Sequence, residues 1–152
     1  MRLNARVDYA LRAVVELAAV GGQADRPVTA ERLATGQDIP PKFLESILLQ
    51  LRRAGIVHSQ RGPEGGYWLA KPADDISLAE VIRVIDGPLA NVRGQRPEAL
   101  GYTGTAAALQ EVWIALRASE REILELVTVA HVAKGQLPKR VRTLAADPDA
   151  WV

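Results

Sequence analysis

Residues 39–67 read IPPKFLESILLQLRRAGIVHSQRGPEGGY and contain a helix pattern followed by a hairpin pattern. Pro41 suits the first turn of a helix, because its missing N–H would have no partner there, and Gly55 suits the residue beyond the last turn. The apolar residues between them recur at helical spacing: Leu44, Ile47, Leu48 and Leu51. The pattern predicts a helix from Pro41 to Ala54 with one buried face.

The second half of this stretch predicts a β-hairpin. Ile56–Gln60 and Tyr67–Ala70 carry β-branched and aromatic residues, which favour strands. Arg61–Gly66 joins them and is rich in glycine, which favours a tight turn. We therefore expect two short strands with a glycine-rich tip that begins at Arg61.

Two further helices are predicted before this stretch. Apolar residues at helical spacing run from Asn4 to Val20, and the Asn4 side chain suits the N-cap. A short helix is predicted over Ala30–Ala34 with Thr29 as its N-cap, and turn residues follow at Thr35–Asp38. The order helix, helix, turn, helix, hairpin is that of a winged helix-turn-helix domain. The expected fold class is mainly α, with a small β-hairpin wing.

A fourth helix and a long loop follow the hairpin. Ser77–Glu80 has the sequence of a capping box, in which two side chains and two backbone N–H groups pair reciprocally, and Gly87 with Pro88 ends the helix. Residues 89–104 read as an irregular loop, and loops of this length are often functional.

The last strong element is predicted as one helix over residues 105–134. Its apolar seam follows alternating steps of three and four residues: Leu109, Val112, Leu116, Ser119 (the one polar member), Ile123, Leu126 and Ala130. A second copy of the chain is the simplest partner for so long an apolar helix, while packing on its own domain alone is the alternative. His131 near its end is interpreted as a charge partner of the helix C-terminus.

These elements divide the chain into four expected parts: a winged helix-turn-helix domain over 1–72, a connecting helix and loop over 73–104, a dimerisation helix over 105–134 and a tail over 135–152.

Composition excludes several classes of site. The chain has 152 residues, a net charge of +1 and no cysteine, so it can form no disulfide, thiolate nucleophile or sulfur-ligated metal centre of its own. The two histidines, His58 and His131, lie far apart in sequence. No apolar run approaches the length of a membrane span, so we expect a cytoplasmic protein without a membrane partner. There is no Gly-rich phosphate loop followed by a helix and no His/Asp nucleophile pair, so we expect no enzymatic activity.

Nucleic acid is suggested by local charge rather than net charge. Residues 42–71 hold five basic and two acidic side chains, although such a run is often only a solvated face. On the third helix, Lys42, Glu45 and Ser46 suit base edges in a major groove, with a solvated helix end as the alternative. On the wing, Arg61 suits a narrow minor groove, and Gly62 and Gly65 permit close approach to a backbone. Candidate phosphate contacts are Arg2, Arg6, Tyr9, Arg52 and Arg53, of which Arg52 could instead form an internal salt bridge.

These motifs resemble the Rrf2 family of bacterial transcription regulators. The resemblance is carried by Met1–Leu3, Tyr9–Ala10, Ile39–Glu45, Leu51–Val57 and, above all, Arg61–Tyr67, and it extends over about residues 1–131. It implies a winged-helix homodimer whose long C-terminal helices cross. It also implies that Lys42, Phe43, Glu45 and Ser46 lie at the DNA-reading end of the third helix, and that Arg61 is the minor-groove residue.

The loop over residues 89–104 departs from the family pattern. Many relatives hold an iron–sulfur cluster through three cysteines in this loop, which here contains neither cysteine nor histidine. We therefore expect no cofactor and no metal, because oxygen ligands suit such a cluster poorly. Arg93, Arg96 and Tyr102 are a possible site for a small anionic effector or a partner peptide. The alternative is that these arginines are solvated or pair with Glu98 and Glu111.

The sequence thus predicts a homodimeric, sequence-specific regulator of double-stranded DNA, acting as a repressor. Its dimer contacts are expected at Leu109, Val112, Leu116, Ile123 and Leu126. The alternative is a dimeric protein-interaction module that keeps the scaffold, binds DNA weakly and is regulated by a protein or a small anionic ligand.

Overall fold

The computed structural model describes residues 1–152 and contains seven α-helices and a two-stranded antiparallel sheet. The elements are α1 (Ala5–Val20), α2 (Ala30–Gln37), α3 (Pro41–Arg53), β1 (Val57–Gln60), β2 (Gly66–Leu69), α4 (Leu78–Asp86), α5 (Leu109–Leu124), α6 (Val129–Ala133) and α7 (Lys139–Ala145). Short 3₁₀ turns lie at Ala73–Asp75, Pro97–Ala99, Gly104–Ala106 and Pro148–Trp151. No helix is both long and apolar enough to cross a membrane.

Helix α1 is the centre of the fold, because α2, α3, α4 and α6 all contact it. Its start matches the prediction, since the Asn4 side chain accepts a hydrogen bond from the Val7 N–H at 3.0 Å. The face that points inward is fully covered: Val7, Ala10, Ala13, Val14 and Leu17. Aliphatic side chains from the winged-helix elements fill the main core around it.

Helix α2 is longer than predicted. Thr29 caps it as expected, but the helix continues through Thr35–Gln37, where the sequence indicated a turn. The extra turn is held by α1, since Arg12 donates to the Gln37 carbonyl at 2.7 Å and the Gln37 side chain donates to Glu16 at 2.7 Å. A tertiary contact therefore overrides the turn tendency of Gly36.

The wing forms as predicted, with register Val57↔Leu69 to Gln60↔Gly66. A third segment joins it, because the backbone of Val28 exchanges two hydrogen bonds with that of Tyr67, at 2.8 and 2.7 Å. Gly66 allows this approach, since a Cβ there would lie 2.5 Å from the Val28 carbonyl oxygen. The hairpin is thus fixed to the segment that leads into α2.

Ser77 is the N-cap of helix α4, and its side chain accepts from the Glu80 N–H at 3.1 Å. Only this half of the predicted capping box forms. The Glu80 carboxylate instead pairs with Lys71 at 2.6 Å, because that lysine lies within reach at the end of the hairpin.

The prediction of one continuous helix over residues 105–134 is wrong. Helix α5 starts at Leu109 and ends at Leu124, and α6 starts afresh after Thr128. Thr128 is extended and its flanking residues pair with the start of α4: the Leu78 N–H donates to the Val127 carbonyl, and the Val129 N–H to the Ile76 carbonyl, both at 2.9 Å. The β-branched run and the Thr128 cap favour this break, and it carries α6 back onto α1.

This break also corrects the interpretation of His131. The residue stands in the first turn of α6, where its Nδ1 accepts from the Thr128 N–H at 3.1 Å and its own N–H donates to the Thr128 hydroxyl at 3.2 Å. His131 is therefore an N-terminal capping residue, not a charge partner of a helix C-terminus. The tail beyond it contains α7, which Arg140 joins to Glu122 of α5 at 2.7 Å.

Candidate nucleic-acid interface

Helix α3 has one fully buried face and one exposed face. Leu44, Ile47, Leu48 and Leu51 are 0–1% exposed and lock the helix into the core. This anchoring leaves Lys42, Glu45 and Ser46 exposed in its first two turns. Lys42 and Glu45 form no ion pair, so their charges are free for another molecule. The predicted reading residues therefore share an accessible helix end.

An aromatic and cationic stack supports this end of α3. The Phe43 ring is half exposed and its centroid lies 6.0 Å from that of Tyr9 on α1. The Arg12 guanidinium lies over the other ring at 4.9 Å from the Tyr9 centroid, a cation–π contact. Tyr9 and Phe43 are thus brought together at the exposed end of α3, and their contacts with DNA stay predictions.

The predicted phosphate contacts do not form one group. Arg6 donates to the Ser46 hydroxyl at 2.8 Å and to Gln50 at 2.7 Å, so it serves α3 rather than standing free. Arg53 is exposed. Arg2 is exposed and lines a separate cleft of about 310 Å³ beside Asp86 at the end of α4.

The wing and the end of α3 face a common cleft of about 510 Å³. Arg52 and Arg61 both line it, together with Thr29 at the start of α2. Arg52 donates to the Ser59 hydroxyl at 3.3 Å. It does not form the internal salt bridge that was the alternative to a phosphate contact. Arg61 has no intramolecular partner, so the cleft presents cationic groups beside a helix N-terminus, a combination that favours an anion such as a phosphate.

The glycines shape the wing tip. A Cβ on Gly65 would lie 2.2 Å from the Gln60 carbonyl oxygen, so no larger residue fits the turn. Gly62 has φ +112°, a backbone conformation that favours glycine. Both positions keep the tip narrow beside Arg61.

Thr29, Ser59 and Gln50 were not predicted as site residues. Ser59 and Thr29 reach the cleft because the hairpin register and the Val28–Tyr67 pairing bring them there, and no local pattern reveals this. Gln50 meets Arg6 across 44 residues of sequence. For Gln50, the only signal in the sequence was its place as a polar residue between the buried positions of α3.

The predicted effector loop packs along α5. The Tyr102 hydroxyl accepts a hydrogen bond from the Trp113 indole at 3.0 Å, and Gln110 donates to the Leu100 carbonyl at 2.7 Å. Arg93 is exposed in a turn with φ +53° and takes part in neither of these hydrogen bonds. The structure therefore ties Tyr102 down and leaves Arg93 in solvent.

Arg96 lines a cleft of about 190 Å³ with Arg83 and Arg117. Glu98 pairs with Arg117, rather than with Arg93 or Arg96 as the alternative supposed. The Arg117 hydrogen bond lowers the pKa of Glu98, and the charge of Arg96 adds to the shift.

The third arginine of this cleft, Arg83, pairs with Glu125 at 2.5 Å. Hydrogen bonds from Arg121 and Arg83 lower the pKa of Glu125.

One face of α5 has no partner within the chain. Leu109, Val112 and Leu116 are 40%, 54% and 41% exposed, Ile123 is half buried, and no residue of α5 is fully buried. Leu126 is also exposed, but it lies in the break after the helix. The covered stripe is instead mostly polar: Gln110, Trp113, Arg117, Glu120 and Leu124.

Comparison with known families gives a match over residues 3–135 to Rrf2, described as an iron-dependent transcriptional regulator. The residues of this chain do not fit an iron–sulfur cluster. The chain has no cysteine, the sole acid of the 89–104 loop is the Glu98 that pairs with Arg117, and no three His, Asp or Glu side chains are grouped to hold a metal ion.

Among curated relatives, Rv1287 of Mycobacterium tuberculosis strain H37Rv, named as a candidate HTH-type transcriptional regulator, is 50% identical over 147 residues, covering 97% of this chain and 90% of the relative. The HTH-type transcriptional regulator CymR of Bacillus subtilis strain 168 is 31% identical over 133 residues, covering 88% and 90%.

Solved structures show the same fold. CymR, the global cysteine regulator of B. subtilis, matches with a TM-score of 0.72 and 29% identity over 88% of this chain and 97% of that one. IscR of T. potens matches with a TM-score of 0.70 and 26% identity over 100% and 97%. The winged helix, its exposed α3 and these matches together show that the chain belongs to the Rrf2 family of DNA-binding transcriptional regulators.

Proposed function

We propose that this regulator binds DNA as a homodimer, places α3 of each copy in a major groove and Arg61 of each wing in the adjacent minor groove, and represses transcription. The observation that carries the proposal is that Lys42 and Glu45 are exposed and form no ion pair, on a helix whose opposite face is wholly buried. A lysine donates to guanine or phosphate, and a carboxylate accepts from cytosine. Rigid anchoring keeps such contacts at fixed spacing.

The experiment is selection of duplexes from a randomised library, followed by affinity measurement on the selected sequence. We expect sub-micromolar, salt-sensitive binding to a pseudo-palindrome with half-sites about one helical turn, or a multiple of it, apart. Arg61→Ala is expected to lose about tenfold in affinity, mostly for sites with A/T-rich flanks. Arg142→Ala removes the same charge from an exposed position of α7 that forms no ion pair, and serves as the control. Failure to enrich any sequence would refute the proposal.

Repression is tested with a reporter promoter that carries the selected duplex. We expect expression to rise when the regulator is removed from the cells, because a dimer covering two major grooves competes with the transcription machinery. Lower expression on removal would instead identify an activator.

The dimer is proposed on the exposed face of α5. Leu109, Val112 and Leu116 follow steps of three and four, which is the spacing for packing against an identical helix. Val112→Glu is expected to give a monomer in sedimentation and to abolish binding to the palindrome at concentrations that saturate the wild type. Ala118→Glu places the same charge on the far face of α5, beside Glu122, and is expected to leave the dimer intact. A dimer that survives Val112→Glu would place the interface elsewhere.

For the effector, we propose a small anion in the cleft between Arg83, Arg96 and Arg117. Arg96 makes no ion pair, whereas the other two arginines are held by glutamates that an anion would displace. Inorganic phosphate is the first probe, since guanidinium groups bind it bidentately. We expect a rise in melting temperature that Arg96→Gln abolishes, and an equal rise in both proteins would refute the site.

A further inference from the structure

The hydroxyl of Ser46 is already committed to two protein groups. It donates to the Phe43 carbonyl oxygen at 3.0 Å, within the same helix. It also accepts from Arg6 Nη1 at 2.8 Å, across from α1. Ser46 is nevertheless exposed, at the end of α3 that the proposed function assigns to base edges.

These two bonds leave the hydroxyl with one chemical option toward DNA. A serine hydroxyl has one hydrogen to donate and two lone pairs to accept with. The hydrogen and one lone pair are occupied, so a single acceptor position remains. In the major groove the donors are the N4 amino group of cytosine and the N6 amino group of adenine, while guanine offers only acceptors and thymine an acceptor and a methyl group.

Further hydrogen bonds hold Arg6 in the position from which it donates to the Ser46 hydroxyl. Its Nη2 donates to the Gln50 side-chain oxygen at 2.7 Å, and the Gln50 amide in turn donates to the Val84 carbonyl of α4 at 2.9 Å. The chain of hydrogen bonds therefore runs from α4 through Gln50 and Arg6 to Ser46. Arg6 is half buried between α1 and α3, whereas an arginine that contacts phosphate is usually exposed and has free donors.

We propose that Arg6 is a positioning residue that makes Ser46 an acceptor-only reader, so that each half-site carries an adenine or a cytosine opposite Ser46. This inference rests on the proposed placement of α3 in the major groove. Glu45 is likewise an acceptor when ionised, so Lys42 is the one donor among the three reading side chains. In the first two turns of α3, Lys42 thus reads an acceptor, and Glu45 and Ser46 each read an amino group.

The test compares the base preferences selected from the randomised duplex library by the wild type, Ser46→Ala, Arg6→Met and Arg6→Lys. We expect the wild type to restrict one position per half-site to adenine or cytosine. Ser46→Ala is expected to lose about fivefold discrimination at that position alone, as for one neutral hydrogen bond. Arg6→Met removes the group that fixes the Ser46 side chain, so the hydroxyl can turn away from the Phe43 carbonyl and donate, and guanine and thymine are expected to be admitted there. Arg6→Lys retains a donor to Ser46 and is expected to restore the restriction.

A chemical probe isolates the amino group. Replacing the preferred adenine by purine, or the preferred cytosine by 2-pyrimidinone, removes that group and little else. We expect about fivefold weaker binding by the wild type and no further loss by Ser46→Ala. Equal losses in both proteins would overturn the proposal.

Salt dependence separates positioning from a direct phosphate contact. A positioning role predicts that Arg6→Met leaves the slope of log affinity against log salt unchanged, whereas loss of a phosphate contact lowers that slope by about one. A lowered slope with an unchanged base preference at the Ser46 position would overturn the inference while leaving DNA binding intact. A wild type that selects no sequence would instead refute the proposed function itself.

Discussion

Helices α3 and α5 have similar apolar spacing but opposite surroundings. The stripe of α3 is 0–1% exposed, whereas Leu109, Val112 and Leu116 of α5 are 40–54% exposed. Helix α3 lies between α1, α2 and α4, while α5 contacts chiefly the turn at Pro97–Ala99. Periodicity therefore identifies an apolar face, but it does not say whether the partner comes from the same chain or from another.

The two helices are also held by different forces. Burial of aliphatic side chains stabilises α3, and this contribution involves no charged group and is not screened by salt. Hydrogen bonds and ion pairs hold the covered stripe of α5, among them Gln110 to the Leu100 carbonyl and Arg117 to Glu98. We therefore expect the docking of α5 to respond more strongly than that of α3 to salt and pH.

The largest expected effect separates Leu48 of α3 from Leu116 of α5. Leu48→Ala removes a fully buried side chain and is expected to lower the free energy of unfolding by about 2–5 kcal/mol. Leu116→Ala is expected to cost less than about 0.5 kcal/mol where the protein is monomeric, because the side chain is exposed there. Urea unfolding followed by circular dichroism measures both.

Protein concentration sharpens this contrast. The effect of Leu48→Ala should be the same at every concentration, since its contacts lie within one chain. If the proposed dimer forms through α5, the effect of Leu116→Ala should grow with concentration, because the wild type then gains stability from dimerisation. A concentration-independent Leu116→Ala effect would show that the exposed face of α5 has no second copy as its partner.

A smaller effect is expected where α5 ends and the chain returns to the core. Thr128→Ala removes the hydroxyl that accepts from the His131 N–H, and should cost about 1 kcal/mol. Thr103→Ala is the matched control, because Thr103 precedes a 3₁₀ turn without a side-chain cap. Equal unfolding midpoints for the two variants would show that the cap does not hold α6 on α1.

The same junction shows how far the sequence can predict this fold. The helix order, the wing and the α3 stripe are local patterns, and all three are confirmed. The break at Thr128 was missed because Leu126 and Ala130 continue the helical spacing across it. Only the pairing of residues 127–129 with the start of α4 shows that Ala130 packs in the core while Leu126 stays exposed.

The site follows the same division. The exposed positions of Lys42, Glu45 and Arg61 follow from the helix and hairpin patterns, and their contacts with DNA stay predictions. The role of Arg6 could not be predicted, since its partners Ser46 and Gln50 lie 40 and 44 residues away. A basic residue near the N-terminus suggests a phosphate contact until the packing of α1 against α3 is known.

The smallest expected effect is a pH dependence carried by the ion pairs of α5. The pKa values of Glu98 and Glu125 are lowered in the folded protein, chiefly by the hydrogen bonds from Arg117 and from Arg121. A lowered folded-state pKa means that the stabilisation is present above the ordinary glutamate pKa of 4.5 and is lost as the pH falls through the folded value. Both carboxylates are exposed, so the effect should be small and should disappear in about 1 M salt.

Glu98→Gln provides the measurement, with Glu31→Gln as a control on the exposed surface of α2, where no ion pair forms. Urea midpoints taken from about pH 7 down to about pH 3 should fall less steeply for Glu98→Gln than for the wild type, because one carboxylate that must be protonated has been removed. Leu48→Ala should shift the whole curve downward without changing its slope. If Glu98→Gln and Glu31→Gln have the same slope, then the Glu98 charge does not help to hold the loop over residues 89–104 on α5, and the cleft beside Arg96 does not depend on that charge for its shape.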